Sequence, residues 1–322
     1  MKAIVYTRYG SPDVLKFQEI EKPVPGDDEV LVKVHAASVN AIDWRPFTMP
    51  LFTVRLMRGG WSEPKEKSVG VDFAGRVEAV GSNVKQFQPG DEVFGLRRGS
   101  FAEYVCAPLE RVAPKPVNLT YEEAAAVPLG ALTALHALRE IGKIQSGQKV
   151  LIDGAGGGVG AFAVQIAKSF GTEVTAVCST KNQEVARSIG ADHVIDYTRE
   201  DVTKNGQRYD LIVVVNGYHP ILHYMRALSP AGTWVVAGGS LWNIVHGALT
   251  GPLFFRWFSK KKLTGVMAKP SQKDLMFLKE LVEAGKVKPV IDRRYPLAEA
   301  AEGIRYLIKG HSQGKVVIQC GQ

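Results

Sequence analysis

The segment Val150-Leu151-Ile152-Asp153 runs without a break into Gly154-Ala155-Gly156-Gly157-Gly158-Val159-Gly160, and Ala161-Phe162-Ala163-Val164-Gln165-Ile166-Ala167-Lys168 follows at once. A short apolar strand, a glycine-rich turn and an amphipathic helix in immediate succession define the opening of a βαβ unit on a parallel sheet. The residue types fit one ligand class. A pyrophosphate must approach the backbone closely, so side chains at the turn would collide with it. Unpaired amides and the positive end of the helix dipole then meet the phosphate charge. Gly154, Gly157 and Gly160 keep a three-residue spacing, and Gly158 and Val159 open the helix between them. The expectation is a Rossmann-type, doubly wound domain that binds a dinucleotide.

The surrounding pattern agrees. Strands are expected at 149–153, 173–178, 194–197, 211–215 and 234–237, with helices at 159–170 and 272–285. The second strand ends Val177-Cys178-Ser179-Thr180-Lys181, with no acid to accept hydrogen bonds from a ribose 2′-hydroxyl. Ser179, Lys181 and, after the third strand, Tyr197 suit a 2′-phosphate instead, so NADPH is the expected cofactor. Asn216 with Gly217 and Gly238 with Gly239 fall at the carboxyl ends of later strands, where open α/β sheets place ligands; a plain turn is the competing reading.

Residues 1–120 read differently. Val30-Leu31-Val32-Lys33-Val34 follows the turn-like Pro25-Gly26-Asp27-Asp28, and Gln88-Pro89-Gly90-Asp91 precedes Glu92-Val93-Phe94. Such short strands between turns predict a largely β domain around a partly closed barrel. Thr120-Tyr121-Glu122-Glu123 is a capping-box signature that opens a helical, alanine-rich stretch. Gly314-Lys315-Val316-Val317-Ile318 closes the chain as a strand.

Composition narrows the classes. The chain has 322 residues and three scattered cysteines, without a Cys-x-x-Cys pair, which argues against a disulfide or zinc-knuckle scaffold. A net charge of +8 suits a polyanionic ligand; no basic stripe accompanies it beyond Lys260-Lys261-Lys262, so nucleic acid is not expected. No apolar run reaches the length of a membrane span, and MKAIVYTRYG reads as a first strand rather than a signal peptide, so a cytoplasmic enzyme is expected. Residues 241–258, rich in Leu, Phe and Trp, read as a pocket wall or dimer contact rather than an interfacial membrane helix.

Taken together, these motifs resemble the medium-chain dehydrogenase/reductase superfamily, in its zinc-independent quinone oxidoreductase branch. The resemblance rests on Tyr9-Gly10-Ser11-Pro12-Asp13-Val14-Leu15, Val34-His35-Ala36-Ala37-Ser38-Val39-Asn40 with Asp43, Gly70-Val71-Asp72-Phe73-Ala74-Gly75, the glycine turn and Gly314-Lys315-Val316-Val317. It implies a GroES-like catalytic domain (1–120 and 288–322) interrupted by the cofactor domain (121–287). It further implies a homodimer paired near Leu263-Thr264-Gly265-Val266-Met267. Zinc alcohol dehydrogenases of the superfamily carry a cysteine in the block Val39-Asn40-Ala41-Ile42-Asp43 and Gly-His-Glu where Gly70-Val71-Asp72 stands. Neither ligand set is present, so no metal is expected. Without a Lewis acid, conjugated acceptors, quinones and α,β-unsaturated carbonyls, are the expected substrates.

By resemblance, Asn40 and Asp43 form the active-site floor. Asn40 holds either the acceptor oxygen or the nicotinamide ribose; Asp43 fixes Asn40 or a water that delivers the proton. Thr133 lies near the nicotinamide, and Lys315 reaches a cofactor phosphate or ribose or is simply solvated. The stretch after Asp43 offers Trp44, Phe47, Phe52 and Trp61 but no tyrosine proton donor before Val69. The seven histidines form no His-x-His or His-Glu-x-x-His array, and His136 reads as a core residue. Two alternatives stay open: an alcohol dehydrogenase, and a cofactor-bound regulatory or structural protein with little turnover.

Overall fold

A computed structural model describes residues 1–48, 64, 67–217, 219–238, 262–266, 268–310 and 312–321. Gly239, Met267, Phe52, Trp61 and residues 241–258 lie outside the described residues. The chain forms two compact units, one of Met1–Leu129, Pro270–Glu283 and Pro289–Gln322, the other of Gly130–Lys269 and Ala284–Lys288.

The first unit begins with β1 (Lys2–Tyr6), β2 (Leu15–Glu19), β3 (Glu29–Val39), α1 (Ala41–Thr48), β4 (Asp72–Val80), β5 (Glu92–Leu96), β6 (Tyr104–Pro108), β7 (Val112–Pro114) and α2 (Tyr121–Ala126). The second contains β8 (Lys149–Asp153), its helix α4 (Gly158–Ser169), β9 (Glu173–Cys178), α5 (Gln183–Ser188), β10 (His193–Asp196), β11 (Tyr209–Val214), α6 (Ile221–Ala227), β12 (Leu228–Val236) and β13 (Lys262–Gly265). Between them α3 (Pro128–Leu135) carries the chain from one unit to the other. The chain ends with α7 (Gln272–Glu283), β14 (Ile291–Pro296), α8 (Ala300–Ile308) and β15 (Lys315–Gln319), all in the first unit.

The first unit is a GroES-like domain. Its seven-stranded sheet is organised by the long β3, which pairs antiparallel with β4 on one edge. The other edge is divided: Glu29–Lys33 pair with β6, and Ala36–Val39 pair with β15. The β15 register sets Val316 opposite Val39, which brings Lys315 level with Asn40. Val30, Val32 and Val34 on one face of β3 join a core that includes Phe73 and Val93, all at most 1% exposed. The capping box at Thr120 forms as the sequence predicts, with the hydroxyl accepting from Glu123 N and the carboxylate accepting from Thr120 N.

The division of the chain departs from the expected seams in two places. Helix α2 stays with the β unit because its apolar face, Ala124, Ala125 and Ala126, is fully buried and the helix packs on β3, β4 and β15. Helix α7 also belongs there: Gln272 Nε2 donates to the carbonyls of Val112 (2.9 Å) and Leu109 (3.3 Å), and Asn118 Nδ2 donates to Val282 O (3.0 Å).

In the second unit six parallel strands are ordered β10-β9-β8-β11-β12-β13. The chain starts at β8, steps outward to β10, then returns to lay β11 against β8. The central strands are continuous apolar runs because both faces are covered: Val150, Leu151, Ile152, Leu211, Ile212 and Val213 have no exposed surface. The order reverses between β8 and β11, and a crevice at such a switch point is where doubly wound sheets take their ligands.

Candidate active site

The glycine turn leaves β8 at that switch point. Gly154 has φ +93°, a left-handed conformation that glycine adopts without strain, and its amide donates to Val177 O (3.1 Å). Gly160 is required for packing: a Cβ there would lie 2.1 Å from Gly154 O and 2.7 Å from Ala155 Cα. Gly157 differs. It is the N-cap of α4, and a Cβ would meet only Gly154 O, at 3.8 Å. Space is therefore left where α4 begins, and the first-turn amides of Gly158, Val159 and Gly160 have no acceptor inside the helix. Asn182 closes the turn from the other side. Its amide lies against Gly156, and its Oδ1 is buried without a hydrogen-bond partner. An orphaned acceptor, open backbone and unpaired helix amides fit a nucleotide with phosphates and ribose hydroxyls.

Ser179 caps the short turn Thr180–Asn182 after β9, and Lys181 lies exposed within it. Tyr197, 41% exposed, follows β10 and donates its amide to Cys178 O (3.2 Å). All three thus sit at the carboxyl ends of β9 and β10. Asp196, which the sequence reading passed over, ties these ends together. Its Oδ1 accepts from Thr198 N (3.0 Å) and Oγ1 (2.7 Å), while Oδ2 accepts from Gln183 Nε2 (3.1 Å) and from the Thr180 hydroxyl. The Thr180 hydroxyl first, then that of Thr198, holds the carboxyl down at about 2. The signal was the Asp-x-Thr spacing after a strand, an Asx-turn pattern.

Asn216 follows β11 and is exposed; its amide donates to Asp153 O (3.3 Å), and Gly154 sits close beside it. Gly238 follows β12, and a Cβ there would lie 2.7 Å from Val215 O. Gly239 falls outside the described residues. Thr133 is half-buried on α3, whose Gly130 packs on Phe162 near the start of α4.

In the first unit a second cluster is buried between β3, β4 and β15. Lys315 Nζ (4% side-chain exposure) donates to Asn40 Oδ1 at 2.5 Å and lies 3.3 Å from Asp72 Oδ2 (0%). Asn40 Nδ2 donates to Asp72 Oδ2 (2.9 Å) and to Ser38 O (3.2 Å), and Ser38 Oγ adds a third bond to the same carboxylate oxygen (2.8 Å). The other oxygen, Asp72 Oδ1, accepts from Leu129 N (2.9 Å). The Asn40 amide orientation follows from its neighbours: an ammonium only donates and a carboxylate only accepts. Lys315 is thus turned inward onto Asn40. Ser38 and Asp72 are the members that sequence reasoning missed; Asp72 had been weighed only as a lost zinc ligand.

Asp43 has two roles in its geometry. Through Oδ2 it accepts from Asn40 N (2.6 Å), capping α1. Its Oδ1 is buried with no partner. Burial, then the Asp72 charge, pushes this carboxyl up to about 7 against the opposing pull of Asn40 N, Lys315 and Arg98. An acid at that value exchanges its proton near neutrality.

Family models match both parts of the chain: an alcohol dehydrogenase GroES-like domain over residues 26–117 and a zinc-binding dehydrogenase over residues 189–318. The chain belongs to the medium-chain dehydrogenase/reductase superfamily, in its quinone-oxidoreductase-like branch. It is 34% identical to a chloroplastic quinone-oxidoreductase homolog of Spinacia oleracea, over 99% of this chain and 98% of that one. It is also 34% identical to a mitochondrial NAD(P)H oxidoreductase of Mus musculus (99% and 89% covered). The 2-methylene-furan-3-one reductase of Solanum lycopersicum is 37% identical (99% and 79%). The quinone oxidoreductase of Coxiella burnetii superposes with a TM-score of 0.86 at 29% identity, covering 100% and 99% of the two chains. This protein is an oxidoreductase. No helix among the described residues is long and apolar enough to cross a membrane.

The donor set around Asp72 does not suit the zinc in the second family description. Zinc takes thiolate, imidazole or carboxylate in close array. Here Asp72 is surrounded by a hydroxyl, an amide and an ammonium, and Lys315 already brings positive charge against the carboxylate.

Proposed function

We propose that this oxidoreductase uses NADPH, without zinc, to reduce a quinone or an α,β-unsaturated carbonyl. The observation that carries the zinc-free reading is the Lys315–Asp72–Asn40 cluster, which puts an ammonium where a metal enzyme would need ligands. When bound, the nicotinamide supplies the hydride. Conjugated acceptors suit this site because their π system spreads the incoming negative charge and needs no Lewis acid.

The chain's residues divide the remaining work. Gly154, Gly157, Gly158, Val159 and Gly160 give the pyrophosphate its backbone surface, with Asn216 and Gly238 at the neighbouring strand ends. Asn40 has both N–H donors committed inward, so it keeps only an acceptor lone pair. That fits a ribose hydroxyl and does not fit the acceptor's carbonyl oxygen. Lys315 holds Asn40 in place. Asp43 holds a proton at Oδ1 below pH about 7 and is the proton source, reached through water. Thr133 contributes from α3. The edge strand β13 pairs with its copy in a homodimer, which covers an otherwise open row of backbone groups.

NADPH preference rests on Ser179, Lys181 and Tyr197 at one corner, and on Asp196 having its oxygens engaged by Thr180, Thr198 and Gln183. Lys181→Glu removes a cation and adds an anion opposite the 2′-phosphate. The NADPH-over-NADH ratio of kcat/KM is expected to fall by roughly 10–100-fold, the range of one charge-assisted hydrogen bond. An unchanged ratio would show that Lys181 does not read the phosphate.

A further inference from the structure

Two histidines four residues apart and an aspartate some twenty residues earlier converge in the second unit. Asp201 follows β10, His219 lies in the loop after β11, and His223 is on α6. One ligand atom from each lies within 4.8 Å of the other two, and all three residues are half-buried. His219 Nε2 is 3.5 Å from Asp201 Oδ1, and the two imidazole centroids are 6.2 Å apart. His223 Nδ1 is buried and has no hydrogen-bond partner. Pre-ordering is visible on each side. Thr203 N and Oγ1 fix Asp201 Oδ1 (2.9 and 2.6 Å), and His223 N donates to Pro220 O (2.9 Å). The His219 ring stands edge-on to Tyr224 at 5.8 Å.

We infer that Asp201, His219 and His223 form a binding site for one divalent transition-metal ion of the zinc class, with a fourth position left to water. Two imidazoles and a carboxylate are a borderline-soft N,N,O set that favours zinc over magnesium or calcium. At metal–ligand bonds of about 2.0–2.2 Å the donors must draw together by roughly an ångström, which side-chain rotation supplies. An imidazole nitrogen buried without a partner is what an open ligand position leaves behind. The Lys204 ammonium, 3.2 Å from Asp201 Oδ2, competes for the carboxylate, but its side chain is 68% exposed and free to turn to solvent. The ion would join the β10–β11 connection to the segment after Asn216. Its role is structural: Tyr224, which His219 meets edge-on, donates to the buried Asp153 at the head of the glycine turn. The sequence signal was the His-x-x-x-His spacing of His219 and His223; it gave no sign of Asp201.

The test uses full-length, tag-free protein stripped with chelator and titrated with Co²⁺, whose visible absorption reports tetrahedral nitrogen–oxygen ligation. One Co²⁺ per chain, displaced by Zn²⁺, is expected, and Zn²⁺ should raise the thermal unfolding temperature. His219→Ala and His223→Ala should each weaken Co²⁺ by on the order of 100-fold, and Asp201→Asn, the least disruptive variant, by about 10-fold or more. His193→Ala, on the exposed end of β10, should leave the titration unchanged. No stoichiometric Co²⁺ spectrum, or a spectrum that survives all three site variants, overturns the proposal.

Discussion

Lys315→Met is expected to destabilise the GroES-like unit by roughly 3–5 kcal/mol, because it leaves the Asp72 carboxylate charged and buried without its cation. Both partners are almost fully enclosed, at 4% and 0% side-chain exposure. Ser38, Asn40 and Leu129 N still donate to Asp72, so the loss should fall toward the lower end of that range. Methionine keeps the length and apolar stem of lysine, which separates charge from packing. Adding Asp72→Asn removes the stranded charge, and the double variant should recover at least half of the loss. Denaturant midpoints of the two variants against the parent decide the matter. A Lys315→Met protein within about 1 kcal/mol of the parent would mean the pair contributes as little as a surface ion pair.

Gly160→Val should abolish cofactor binding, by more than about 100-fold, because the three nearest atoms its Cβ meets are all backbone of the glycine turn. Neither Gly154 O nor Ala155 Cα can retreat without moving the amides proposed to hold the pyrophosphate. Gly157→Ala is the companion. Its Cβ would meet one atom, at an ordinary 3.8 Å, so the folded protein should be as stable as the parent. The methyl would still occupy the surface that a phosphate approaches, and NADPH binding should weaken by roughly 10-fold. Fluorescence titration with NADPH and thermal unfolding separate the two effects. Equal losses of stability in both variants would contradict the division of roles between these glycines.

The contrast between those two glycines also shows how far the sequence reached. Strand, turn and helix around Gly154–Gly160 were legible because local periodicity and backbone demands act over a few residues. Which glycine is closed in by packing and which leaves open space was not, since that depends on where Ala155 and Asn182 sit. Lys315 shows a similar boundary. The closing strand was readable, but its register against β3, which places Lys315 beside Asn40, is a long-range pairing. Asp72 was noticed as a missing zinc ligand, and its role as a buried hub of four donors appeared only when Ser38, Asn40, Leu129 and Lys315 converged on it. The same is true of α7, whose periodicity gave a helix and whose partners, through Gln272 and Asn118, assigned it to the first unit.

The most direct measurement of the central claim is NADPH consumption by chelator-stripped protein, with a quinone and a conjugated enone as parallel acceptors, from below to above pH 7. Asp43 carries its proton below about 7 because burial has raised it; that proton is lost as pH rises through the value, so kcat should fall there. Asp43→Asn, which cannot supply a proton, should flatten the profile and lower kcat by ~10²–10⁴-fold. Turnover that survives metal removal, with this pH limb in the parent alone, is the predicted result. Turnover that requires restored zinc in the parent and equally in His223→Ala, which lacks the inferred structural site, or tight NADPH binding with no consumption on either acceptor, would contradict it.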